Sequence, residues 1–262
     1  MRPGRFADKK LWLLDMDGTI YLENELIDGA LDFLQRIRER GGRYVFISNN
    51  SSKSVADYVA KVRAMGIEAD EDSFFISSQS TALYLNRHHR GARVYVMGTA
   101  SLVEELRRHG IQAVTENSGH IDVVLLGYDT ELRYQKLIDV CNIMQEDTVY
   151  LATNPDYVCP AKNGYLPDCG SMAVMLEYAL HRKPKFIGKP ESYMIEDVLE
   201  KFHIDKKYAI IVGDRLYTDI ASGYHAGVDT ICVLSGEATM EDIAAFAIQP
   251  NAILSSVKEI EL

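Results

Sequence analysis

Leu11-Trp12-Leu13-Leu14-Asp15-Met16-Asp17-Gly18-Thr19 decides how this chain is read. The apolar run suits one buried strand and is too short for a helix. It breaks into two carboxylates one residue apart, followed at once by Gly18-Thr19. A strand ending in carboxylates places charge where open α/β sheets hold their ligands. If strand geometry persists, Asp15 and Asp17 project to the same side, because the strand period is two. Such a pair repels by about 4 kcal/mol at about 4 Å and an effective dielectric of about 20. A bound cation or a raised pKa would offset that. The alternative is a solvated Asp-x-Asp-Gly turn with no ligand, and the remaining sequence discriminates.

Its 262 residues suit one large domain or two modest ones. Hydrophobic content of 47% and charged content of 25% are ordinary for a globular protein. A net charge of -10 argues against nucleic acid or an anionic membrane as partner. A phosphate ester remains compatible where a local site supplies metal and lysine. The four cysteines show neither a C-x-x-C pair nor metal-ligand spacing, so reduced thiols are expected, with a Cys159–Cys169 disulfide as the alternative. Met1 to Lys10 has no apolar leader and no run reaches spanning length, so a cytoplasmic protein is expected.

Outward from the opening strand, apolar and helical segments alternate. Asp28 to Arg40 reads as a helix stopped by Gly41-Gly42, and Tyr44 to Ile47 as a second buried strand ending in Ser48-Asn49-Asn50. Ser54 to Met65 reads as a helix, Phe74 to Ile76 as a strand and Gln79 to His88 as a helix. A second α/β series follows, with strands at Arg93 to Met97, Val123 to Gly127 and Val149 to Ala152. Asn154 to Pro167, rich in Asn, Pro, Gly and Tyr, reads as a loop before a helix from Gly170 to His181. Phe186-Ile187 precedes Gly188-Lys189-Pro190, and Ala209 to Val212 is a strongly apolar strand ending in Gly213-Asp214. A helix near Thr218 to Ala226 and strands at Thr230 to Val233 and Ala252 to Leu254 complete the series. The pattern predicts a doubly wound, Rossmann-like parallel α/β core, residues 1–79 and 184–262, interrupted by an inserted α/β domain, residues 80–183.

Four strand ends thus carry complementary groups: Asp15 and Asp17, Ser48 with Asn49 and Asn50, Lys189, and Asp214 with Asp219 five residues later. In one parallel sheet they gather on one edge. Each part suits phosphoryl transfer. A carboxylate can attack phosphorus, and a second can protonate the leaving oxygen and then deprotonate water. Oxygen ligands without His or Cys favour Mg²⁺ over Zn²⁺. Ser48 and the following backbone N–H groups can hold phosphoryl oxygens, and Lys189 can neutralise the shared charge. Singly, Ser48 to Ser51 is an N-cap cluster, Lys189 a surface lysine and Asp219 a helix-end charge; jointly and in this order, chance explains them poorly.

These segments resemble the four motifs of the haloacid dehalogenase superfamily: DMDGT (15–19), ISNN (47–50), GKP (188–190) and GDRLYTD (213–219). The large insertion between the second and third motifs, with the TNPD of 153–156, resembles subclass IIA, the p-nitrophenyl phosphatase and nucleotide or sugar monophosphatase branch. The resemblance implies Asp15 as nucleophile and Asp17 as general acid and base. It implies Mg²⁺ held by Asp15, the Asp17 backbone carbonyl and Asp214. Ser48, Asn49 and Asn50 would bind the phosphoryl group, Lys189 would stabilise an aspartyl-phosphate, and Asp219 would orient Lys189 and the metal shell. The insertion becomes a cap that reads the leaving group, with Tyr128, Asp129, Asn154, Asp156 and Tyr157 as candidate readers. A small phosphorylated metabolite is the implied partner, and a homodimer through the cap the implied assembly. The rivals are a phosphotransferase or mutase, and a receiver-type module that stores an aspartyl-phosphate. A dinucleotide enzyme is excluded because no G-x-G-x-x-G follows the first strand.

Overall fold

A computed structural model describes residues 6–161 and 164–262. Of the N-terminal stretch read for a leader, residues 1–5 lie outside them, as do Lys162 and Asn163 of the expected loop. The chain divides into two compact units: one of the segments up to Ser48, Val55–Phe75 and Lys189–Leu262, the other of Asn49–Ser54 and Ile76–Gly188. These limits fall a few residues from the expected 79/80 and 183/184 boundaries. They also assign the six residues after Ser48 to the second unit.

The first unit is built on a six-stranded sheet in the order Ala252–Leu254, Asp229–Val233, Ala209–Gly213, Leu11–Leu14, Arg43–Ser48, Phe74–Ile76. Leu11–Leu14 pairs in parallel with both neighbours, Leu14 standing opposite Val212 and Phe46. All four of its residues are at most 1% exposed, as a strand covered on both faces requires. Trp12 packs edge-on against Phe33 of the Ala30–Glu39 helix, ring centroids 5.4 Å apart. From this central strand the chain builds outward on one side and later returns on the other, so the order reverses between Leu11–Leu14 and Ala209–Gly213. Loops leaving the carboxyl ends at such a switch point form a crevice, and Asp15 and Asp214 are the first residues beyond these two ends.

The second unit has its own parallel sheet, ordered Lys185–Phe186, Val149–Ala152, Val123–Leu126, Arg93–Met97, Gln112–Val114. Its core includes Tyr95, Met97, Val124, Leu126 and Tyr150 packed with Met172 and Leu176 of the Cys169–Leu180 helix. The fold is therefore the expected doubly wound α/β core with an inserted α/β domain. Two expectations are corrected. The strand before Lys189 pairs with Val149–Ala152 in the second sheet rather than joining the first, because so short a strand carries no sequence signal for its neighbour. Within 154–167, Val158–Ala161 and Gly164–Pro167 form an antiparallel hairpin instead of a loop. Strands of four residues carry too little side-chain pattern to show through the Asn, Pro, Gly and Tyr content that reads as a loop. Among the described residues no cysteine is in a disulfide, and no helix is long and apolar enough to cross a membrane.

Candidate active site

The Leu11–Leu14 strand stops at its last apolar residue, and the next peptide continues its ladder: Asp15 N–H donates to Val212 O at 2.9 Å. The chain then folds into a tight turn in which the N–H groups of Thr19, Ile20 and Tyr21 all meet Met16 O. The two-residue strand period thus ends before Asp17, so the expected same-side pairing of Asp15 and Asp17 does not follow from strand geometry. Asp17 is exposed, whereas the Asp15 side chain is only 17% exposed. Gly18 turns the corner at φ 86°, a region that favours glycine, and a Cβ there would strike the Asp214 carboxylate.

Three carboxylates, those of Asp15, Asp214 and Asp219, offer oxygens that all lie within 4.8 Å of one another. Lys189 enters this cluster, its Nζ 2.7 Å from Asp15 Oδ1 and 2.5 Å from Asp219 Oδ1, with Ile47 O at 3.3 Å. The Lys189 and Asp219 side chains are 3% and 0% exposed. Burial opposes the lysine charge, but the charges and hydrogen bonds of Asp15 and Asp219 outweigh it and raise its pKa above the ordinary value. Burial first, and the Asp15 and Asp219 charges next, push the Asp214 carboxyl up. Asp219 is raised by burial and by Asp15, with Lys189 pulling the other way. Asp214 Oδ2 accepts from Glu237 N at 2.7 Å, while its buried Oδ1 has no hydrogen-bond partner among the described residues.

The charge balance bears on a metal. Three carboxylates against one ammonium leave an excess of negative charge, and each pair at such spacing repels by about 3–4 kcal/mol at an effective dielectric of about 20. An all-oxygen donor set with an orphaned carboxylate oxygen fits a hard divalent cation. Glycines at 18 and 236 leave the room around Asp214 that side chains would fill. The carboxylates here are Asp15, Asp214 and Asp219; the Asp17 carboxylate is not one of them, and the ligand assigned to Asp17 by resemblance is its backbone carbonyl.

The other named residues fall in two groups. Ser48 is half-buried at the end of its strand. In the second unit, Asn49 Nδ2 donates to Asp156 Oδ2 at 2.9 Å, and Asn50 Oδ1 closes a local turn by accepting from Ser52 N and Ser52 Oγ. Asn154 is fully buried, donating to Asp156 Oδ2 at 3.1 Å and Asp168 Oδ1 at 3.0 Å. Asp129, 2% exposed, is held by Lys136 Nζ at 2.7 Å and Glu131 N at 2.9 Å. Tyr128 is also buried, whereas Tyr157 is 63% exposed. Sequence reading did not single out the Ser235-Gly236-Glu237 turn that supports Asp214, in which Ser235 Oγ donates to Gly18 O at 2.7 Å. Its signal was a fifth apolar strand, Asp229–Val233, ending on the same sheet edge.

Comparison with known proteins bears on this geometry. A haloacid dehalogenase-like hydrolase model matches residues 12–112 and a second HAD-hydrolase-like model matches 186–260. An acid sugar phosphatase of Staphylococcus aureus is 33% identical over 95% of this chain and 96% of its own. The crystal structure of a 4-nitrophenylphosphatase from Thermotoga maritima superposes with a TM-score of 0.91 at 36% identity, covering 97% of each chain. A glycerol phosphate phosphatase from Mycobacterium tuberculosis, solved in complex with magnesium, gives 0.92 at 27% identity over 99% of this chain and 79% of that one. The chain is an enzyme, a phosphoric monoester hydrolase, and belongs to the haloacid dehalogenase-like hydrolases of subclass IIA.

Proposed function

We propose that this enzyme is a Mg²⁺-dependent phosphatase that hydrolyses a small, hydroxyl-rich phosphomonoester through an aspartyl-phosphate on Asp15. The observation that carries the reading is the contact of Lys189 with both Asp15 and Asp219 inside a cluster of three carboxylates. Lys189 holds the Asp15 carboxylate in place through its Nζ contact, as an aimed nucleophile requires. An Asp15 oxygen bonds to phosphorus as the bond to the leaving oxygen breaks, and Asp17, exposed beside the nucleophile in sequence, gives that oxygen its proton. Asp17 then takes a proton from water, the water oxygen bonds to phosphorus, and the bond to Asp15 breaks to release inorganic phosphate. Ser48 and Asn49, with the backbone at Asn50, hold the phosphoryl oxygens, and Lys189 neutralises charge on them. Asp15, the Asp17 carbonyl and Asp214 would hold Mg²⁺, which supplies charge stabilisation to the phosphoryl group when bound; Asp219 holds Lys189 in place. The similarity to an acid sugar phosphatase and a glycerol phosphate phosphatase supports the hydroxyl-rich class, and the similarity to a 4-nitrophenylphosphatase supports p-nitrophenyl phosphate as the assay substrate.

We place the enzyme in the cytoplasm and propose a homodimer through the inserted unit. Exposed Val174, Met175 and Tyr178 on the Cys169–Leu180 helix support that assembly, and light scattering after Tyr178→Glu tests it, with an unchanged mass contradicting it. For the activity, phosphate release from p-nitrophenyl phosphate is measured with Mg²⁺, with EDTA and with Asp15→Asn. Release that needs both Mg²⁺ and Asp15 is expected. Release that survives either loss contradicts the reading, and transfer of phosphate to an alcohol without release would make the enzyme a phosphotransferase.

A further inference from the structure

We propose that Asp156 is a positioning residue that fixes Asn49, and through it the phosphoryl-binding segment starting at Ser48. The inference rests on the role given to Asn49 above and changes the one expected of Asp156, from reader of the leaving group to brace. Both residues are 7% exposed, and Asn49 Nδ2 donates to Asp156 Oδ2 across 2.9 Å. A carboxylate only accepts, so the amide nitrogen must face it and the amide orientation is set by chemistry. The carbonyl oxygen Oδ1 is turned toward Gly188, where a Cβ would lie 2.6 Å from it. The backbone of Asn49 is held as well, since Ser77 Oγ donates to Asn49 O at 2.6 Å.

Asp156 is itself fixed. Its Oδ2 takes a second bond from Asn154 Nδ2, and its backbone carbonyl accepts from Gly170 N at 2.8 Å. Three residues before it, Thr153 bonds Ser51 Oγ at 2.9 Å and accepts Gly188 N at 2.8 Å. One short loop, 153–156, therefore ties the segment after Ser48 to the residue that precedes Lys189. A charge-assisted bond in a buried setting holds such a geometry more firmly than a neutral one. Without the Asp156 carboxylate, Asn49 Nδ2 loses the bond that directs it toward the 153–156 loop.

The test is a double-mutant cycle on p-nitrophenyl phosphate turnover, with inhibition by inorganic phosphate as the second readout. Asp156→Ala is expected to lower kcat/KM by about tenfold or more and to weaken phosphate inhibition similarly. Because Asp156 acts through Asn49, the double variant with Asn49→Ala should lose no more than Asn49→Ala alone. Additive losses, or unchanged phosphate inhibition in Asp156→Ala, overturn the proposal. Should Asp156→Ala fail to fold, Asp156→Leu, which keeps the volume and removes the acceptor, enters the same cycle under the same criterion. The cycle is judged on wild-type turnover, whereas the wider reading is judged on Asp15→Asn, so the two fail separately.

Discussion

The two units each bury a polar cluster, and the clusters are built on opposite principles. In the first, Asp15, Asp214 and Asp219 crowd one another around the Lys189 ammonium. In the second, Asp156 and Asp168 face neutral donors, the amides of Asn49 and Asn154 and the backbone N–H of Cys169. Carboxylates facing amides hold a loop still; carboxylates facing each other store repulsion that a cation or a phosphoryl transfer can use. Burial of charge thus marks reactivity only where the partners are charges of the same sign.

Substitutions sharpen this contrast. The largest effect belongs to Asp15→Asn, expected to lower kcat by about 10⁴-fold or more while circular dichroism remains native. Next, Lys189→Met removes the one ammonium among buried carboxylates and should cost about 3–5 kcal/mol of metal-free stability in urea unfolding, besides activity. Asp214→Asn should act in the reverse sense on stability, raising it by about 1–3 kcal/mol without metal as repulsion falls, while weakening Mg²⁺ binding in calorimetry. Asn154→Ala, in the second cluster, should instead lower stability by about 1–3 kcal/mol and leave Mg²⁺ affinity unchanged. If Asp214→Asn destabilises and Asn154→Ala does not, the contrast between the clusters is wrong.

The pH dependence follows from the same contrast. Asp214 and Asp219 both have pKa values raised above the ordinary 3.8, by burial first and by neighbouring carboxylates second. The folded state therefore binds protons more tightly than the unfolded chain. Their contribution is fully present below the ordinary carboxylate range and is lost as pH rises through the raised values. Metal-free melting temperature should fall across that window, and saturating Mg²⁺ should flatten the fall. A metal-free profile that rises there would count against the charge crowding.

Much of this was legible in the sequence because apolar strands end abruptly in charge. Leu11–Leu14 and Ala209–Gly213 announce Asp15 and Asp214 by composition alone. Resemblance supplied the pairing of Asp219 with Lys189, a contact across thirty residues that no local spacing encodes. What escaped depends on long-range pairing. The two-residue strand Lys185–Phe186 has too little side-chain pattern to choose a sheet. The turn at Ser235 to Glu237 bonds Asp214 through a backbone N–H, a contact that leaves no trace in residue type. The ion pair of Asp129 with Lys136, seven residues on, joins a strand end to the start of the next helix and is not encoded by either segment's own pattern.

The most direct test of the central claim is mass spectrometry of peptides from acid-quenched turnover of p-nitrophenyl phosphate with Mg²⁺, using Asp17→Asn to slow the second step. Phosphate carried on the Asp15 side chain, and absent from Asp15→Asn, is the predicted result. Turnover in which phosphate is found on another residue, or persists at full rate in Asp15→Asn, would contradict the account.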